Sequence, residues 1–145
     1  MKTRFIHFAC VFAIFNSGCA STRPNGAAAT PIEKTTFSGT VQTVYYFYAV
    51  NPDCTSGGLP TLEVVRAASH GSISFQNVEH YTEFPSTNQR YECNKQKSPS
   101  VAVVYTSEET YVGTDRFAVK SVFPSGSSQT KEFVVTVEPP HRTQP

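Results

Sequence analysis

The chain has no tryptophan, one methionine and only two aspartates, Asp53 and Asp115, in 145 residues. The scarcity of Asp argues against calcium, which takes roughly six to eight oxygens, mostly from clustered carboxylates. No Asp-x-Asp occurs anywhere. The absence of Trp removes the strongest sugar-stacking side chain. Long apolar runs are missing too. Phe8–Phe15 is the longest, and its eight residues fall well short of the roughly 20 that a membrane-spanning helix needs. Beyond that run, apolar residues nowhere recur at helical spacing over about 11 positions. No internal repeat of about 20–50 residues points to a solenoid.

What is present at the start is directional. Lys2 and Arg4 precede the apolar run, and Asn16-Ser17-Gly18-Cys19-Ala20 follows it. A basic start, a short apolar stretch and a small-residue exit describe an export signal over residues 1–18. Ser17-Gly18-Cys19 resembles the bacterial lipoprotein signal, which ends on a lipid-modified Cys. Asn16 stands where that signal usually has Leu, and Phe15 supplies the bulky residue one position early. The rival reading is ordinary cleavage after Ala20, giving a soluble periplasmic or secreted protein. The resemblance implies lipidation at Cys19 and a membrane partner held through the lipid. Ala20, rather than Asp, after the Cys implies sorting to the outer membrane.

Without Lys2 and Arg4, the exported part carries 10 basic and 11 acidic residues, a net charge of −1. That balance gives no electrostatic footprint for a nucleic acid. Residues 19–35, rich in Ala, Pro, Ser and Thr, read as a flexible tether because they bury too little to offset their ordering entropy. Residues 36–138 hold enough Val, Tyr, Phe and Thr for one core, and 139–145 read as a free tail. Cys10 falls in the leader, which leaves Cys54 and Cys93 as the pair within the domain. In an exported β-rich domain such a pair usually bridges. Two buried thiols or a two-cysteine metal site are the alternatives, but no His stands at a ligand spacing from either Cys.

Alternation of period two runs through the domain. Val41–Val50 is apolar on both parities from Val44, which predicts a central strand covered on both faces. Thr61–Ala67, Gly71–Gln76, Val101–Thr106, Arg116–Phe123 and Glu132–Val137 each predict a half-buried strand, and Thr36–Phe37 a short one. Pro124–Thr130 joins the last two as a hairpin turning at Gly126. Seven strands with turns between them predict an all-β, immunoglobulin-like sandwich.

Tyr105-Thr106, Tyr111-Val112-Gly113-Thr114-Asp115-Arg116-Phe117, Gly126 and Val134-Val135-Thr136-Val137 resemble the closing half of bacterial cadherin-like and Ig-like repeats. His70-Gly71-Ser72-Ile73 is similar to the His-Gly turn earlier in such repeats. The resemblance spans about half the domain and implies a fold rather than an activity. Calcium binding between repeats does not carry over, for want of carboxylates. Asp115 reads instead as an acceptor of backbone N–H bonds in its turn, and Glu108-Glu109 as a solvated turn. The segments around Cys54 and Cys93 depart from those repeats and resemble small exported alphaproteobacterial proteins.

An enzyme needs a base, a nucleophile or a metal in reach. His70 precedes a turn glycine, and His80 with Glu79 and Glu83 has no fixed geometry in a strand or loop. Nothing resembles a nucleophile elbow. No catalytic residue, metal or cofactor is therefore expected. Tyr45, Tyr46, Phe47 and Tyr48 read as core filling before a sugar-stacking face. The loop Asn88–Ser98 gathers Arg90, Lys95 and Lys97 around Tyr91, with Glu92 as its one acid. Such a loop suits an anionic glycan or the acidic face of a protein. The sequence thus predicts a non-enzymatic envelope binding or adhesion module. A structural or accessory subunit of an envelope assembly, with no ligand of its own, is the alternative. If Cys19 carries the anchor, Cys19→Ala moves the protein from the membrane to the soluble fraction and abolishes labelling by radioactive fatty acid. Wild-type protein that is soluble and begins at Ser21 excludes the anchor.

Overall fold

The structure is a computed structural model describing residues 30–140. The leader, Cys19 and the stretch 20–29 lie outside the described residues, as do residues 141–145 of the expected tail. Seven strands form: β1 (Ile32–Phe37), β2 (Val41–Tyr48), β3 (Thr61–Arg66), β4 (Gly71–Tyr81), β5 (Lys97–Ser107), β6 (Gly113–Val122) and β7 (Ser128–Glu138). They make a four-stranded sheet, β1-β7-β6-β3, facing a three-stranded one, β2-β5-β4. Strands two, five and four in one sheet and three, six and seven in the other give the expected immunoglobulin-like sandwich.

Burial follows the alternation. Phe117 and Val119 of β6, and Phe133, Val135 and Val137 of β7, meet Val44, Phe47, Val103 and Tyr105 from the opposite sheet. Their rings form a continuous column. Phe117 and Phe133 stack at 4.7 Å, Tyr105 lies parallel to Phe117 at 5.9 Å, and Tyr45 sets its edge to Phe133 at 6.1 Å. Burying each large apolar side chain stabilises the fold by about 1.5–3 kcal/mol.

Several strand expectations change, and β6 and β7 begin earlier than expected, at Gly113 and Ser128. Strand β1 begins at Ile32, inside the expected tether, because parallel pairing from Ile32↔Phe133 to Phe37↔Glu138 satisfies its backbone and Ile32 packs on the core. Strand β2 is an edge strand, and β5, buried along most of its length, is the central one. The double parity of β2 comes from a bulge. Thr43 pairs with Val104 and Tyr45 with Val103, so Val44 is an extra residue that shifts the alternation. Strand β4 runs on to Tyr81, which pairs with Lys97 at the start of β5. Strand β5 therefore contains Pro99. The last β2 partner of β5 is Ser100, opposite Tyr48, so at Pro99 the strand has a neighbour on one side only and tolerates a missing N–H.

The two sheets are tied at the end formed by the β3–β4 and β5–β6 connections. Asp115 is buried, and its carboxylate accepts N–H bonds from Ser69 (2.9 Å), His70 (2.9 Å) and Arg116 (2.8 Å) and the Tyr105 hydroxyl (3.1 Å). This is the acceptor role read from the Gly-Thr-Asp turn. Burial alone raises the pKa of Asp115, but those four donors outweigh it and hold the carboxyl below its ordinary value. Burial and the Asp115 charge both push the Tyr105 hydroxyl up. Tyr105 also explains Gly71. A Cβ there would lie 2.5 Å from the tyrosine ring and 2.6 Å from the Thr106 carbonyl oxygen.

The depressed pKa of Asp115 fixes the sign of a pH dependence. Its stabilisation is complete above the ordinary value of 3.8 and is lost as pH falls through the lower, folded-state value. Asp115→Asn presents an amide N–H₂ to a backbone donor and removes the charge. Urea unfolding at pH 7 should show a loss of about 2–3 kcal/mol, and the variant should lose less stability than wild type on acidification.

Candidate end cleft

At the opposite end of the sandwich, the β2–β3 loop, the β4–β5 connection and the β6–β7 turn converge on a cleft of about 500 Å³. Tyr48, Phe84, Phe123 and Pro124 supply apolar wall, and Arg90 is the one charged lining residue among the described residues. The sequence places both phenylalanines in Phe-Pro dipeptides, Phe84-Pro85 and Phe123-Pro124. Proline disfavours the α conformation at the preceding residue.

Each wall is held by hydrogen bonds to neighbouring chain. The Asn94 side chain clamps the Phe84 backbone, accepting the Phe84 N–H (2.9 Å) and donating to the Phe84 carbonyl (2.9 Å). The same Asn94 oxygen accepts a bond from the buried Thr82 hydroxyl (2.9 Å). The Tyr48 hydroxyl accepts the Glu83 N–H (3.0 Å), and the ring sets its edge to Phe84 at 5.4 Å and 81°. Burial raises the pKa of Tyr48, keeping its hydroxyl neutral. Phe123 closes the β6–β7 turn, donating to Ser127 (2.9 Å) and accepting from Gly126 (2.8 Å), where Gly126 has φ +84°.

The bridge between Cys54 and Cys93 is present and joins the β2–β3 loop to a short 3-10 helix, Tyr91–Lys95. Cys93 is buried. Cys54 has φ +66°, a left-handed conformation uncommon for a residue with a Cβ. Local bonds hold it there: Cys54 N–H donates to Asn51 (3.0 Å), and the Gln96 side chain donates to the Cys54 carbonyl (2.9 Å).

The structure separates the basic residues of the loop. Arg90 turns into the cleft. Its Nε donates to the Val50 carbonyl at 2.6 Å, and its two terminal nitrogens have no partner among the described residues. Lys95 pairs instead with Glu92 in an exposed i,i+3 bridge, which raises the lysine pKa. Lys97 belongs to β5 and lies 5.7 Å over the Tyr81 ring. Tyr91 is exposed and does not line the cleft. Of the four expected contact residues, only Arg90 reaches it.

The histidines take separate places. His70 stacks on Tyr111 at 3.9 Å with Glu108 beside it, at the Asp115 end. His80 stacks on Tyr46 at 3.5 Å, and its Nδ1 is buried with no partner among the described residues. Glu79 neighbours His80 in β4, so its side chain leaves by the opposite face. No group of three or more His, Cys, Asp or Glu side chains among the described residues converges to hold a metal.

No family model and no curated protein matches the sequence. One solved structure, the solution structure of amebosin, aligns over 75% of this chain and 100% of its own at 12% identity, with a TM-score of 0.36. That likeness carries no argument about this chain.

The bridge closes a loop of about 40 residues, for which chain entropy gives about 4 kcal/mol. Cys54→Ser or Cys93→Ser should each lower stability by about 2–5 kcal/mol in urea unfolding. Non-reducing peptide mapping should find the two cysteines in a single cross-linked pair. A fully alkylatable pair in the exported protein contradicts the bridge.

Proposed function

We propose that this protein is a non-enzymatic binding module of the bacterial cell envelope, anchored by lipid at Cys19, that takes an anionic group of an envelope partner into the end cleft. The observation that carries this reading is the state of Arg90. Its guanidinium is oriented by the Val50 carbonyl, shares the cleft with Tyr48, Phe84 and Phe123, and has no acidic residue among the described residues lining the cleft beside it. A planar fork with two free terminal nitrogens suits a carboxylate or phosphate gripped through two bonds. The ordering entropy of that grip is reduced in advance, because the disulfide and Asn94 already fix the surrounding loops. The export signal and the cadherin-like and Ig-like resemblance support the same reading, since both suit a module displayed on a tether.

The test is binding of an acidic envelope polysaccharide, with Lys95 and Lys97 as internal controls. Arg90→Gln should weaken binding about tenfold, the size expected for one charge-assisted contact. Lys95→Ala/Lys97→Ala should change it little, because each lysine has its own partner. Binding to wild type should weaken with added salt, on the scale of a Debye length of about 8 Å at physiological strength. If Arg90→Gln remains folded and the polymer is retained equally, the cleft is scaffold and the accessory-subunit reading takes its place.

A further inference from the structure

We infer that the end cleft is one part of a two-part groove, and that its occupant is an acidic heteropolysaccharide in which an acidic sugar adjoins a neutral one. This deepens the binding-module reading and rests on it. A second hollow, of about 190 Å³, shares Tyr48 with the cleft and is lined along the edge strand β2 from Thr43 to Tyr48. Its walls include Lys34 from β1, Tyr46 from β2, His80 from β4 and Glu83 just beyond β4.

The two hollows differ in charge. Among the described residues the cleft presents one cation and no acid, which selects an anion. The second presents both signs, Lys34 and Glu83, and neither makes an ion pair among the described residues. An anion meets repulsion from Glu83 there, and a cation meets it from Lys34. A neutral group that both donates and accepts meets neither. Each sugar hydroxyl has that character, with one donor and two lone pairs. Neighbouring hydroxyls can accept from the Lys34 ammonium while donating to the Glu83 carboxylate.

The aromatic surface fits the same occupant. Tyr46 lies nearly parallel to His80, 3.5 Å away and tilted by 16°, so its ring is held in place by that stack. A pyranose ring has a face made of C–H groups that packs on a flat aromatic. Tyr48 stands at the junction and cannot swing across it, because its hydroxyl is bonded to the Glu83 N–H and its ring is set against Phe84. A chain molecule lying along β2 therefore meets an anion site and a neutral polar site in succession.

Calorimetry on the detergent-purified protein tests this with four ligands. These are glucuronic acid and N-acetylmuramic acid, each free and β-linked to N-acetylglucosamine. For at least one acid, the disaccharide should bind about tenfold more tightly than the free sugar. Lys34→Ala, Glu83→Gln and Tyr46→Leu should each erase that gain and leave the affinity for the free acid unchanged. Both charged side chains are exposed, so the first two variants should melt as wild type does. Disaccharides that bind no better than free acids, while the acids still depend on Arg90, overturn the two-part groove and leave the binding-module reading standing. So does an acidic hexapeptide that outcompetes both disaccharides, which would assign the groove to a protein partner. Failure of all four sugars and the peptide to bind overturns both readings.

Discussion

A single buried carboxylate holds the two sheets in register. Asp115 sits on β6 of one sheet and accepts the Tyr105 hydroxyl from β5 of the other, together with two N–H groups of the chain entering β4. A charge in that position is costly to desolvate, and only a full set of donors makes it tolerable. The neighbours follow from this requirement. Tyr105 lies where its hydroxyl reaches the carboxylate, and its ring occupies the space that a side chain at position 71 would need. The same ring begins the aromatic column through Phe117 and Phe133.

The two ends of the sandwich are held by different chemistry. The Asp115 end is closed by polar bonds directed inward, and its aromatic stack, His70 on Tyr111, covers a finished turn. At the other end, a covalent bridge and an asparagine clamp hold the loops from behind, leaving Tyr48, Phe84 and Arg90 with surface that the fold does not use. Loops braced from outside can keep an open hollow between them. That division places the candidate site at the cysteine-bearing end, where the sequence departs from the repeats it otherwise resembles.

Much of the fold was legible because alternation reports which side of a strand faces inward. Phe117, Val119, Phe133, Val135 and Val137 were all readable in this way. Alternation does not report neighbours, so Val41–Val50 looked central when it is an edge with a bulge at Val44. Nor does it register pairing energy. Ile32–Phe37 has little apolar pattern of its own and becomes a strand because β7 offers it a parallel ladder. The cleft was less legible. Arg90 stood out by its charge, but its role depends on a bond to Val50, 40 positions away. Asn94 carries no functional mark in the sequence, although it sets the Phe84 wall. The Phe-Pro dipeptides are the local sequence signal for its two phenylalanine walls.

The parallel pairing of β1 with β7 has a mechanical consequence. A pull on the chain entering β1, directed back along the strand, loads all six paired positions together in shear, whereas peeling an antiparallel edge from its turn opens one pair at a time. The shortest route from the N-terminal segment into the body thus resists traction along its own axis. Lys34 lies within that strand. A slip of two residues, about 7 Å, would carry its side chain out of the second hollow and draw Ile32 off the core in the same movement.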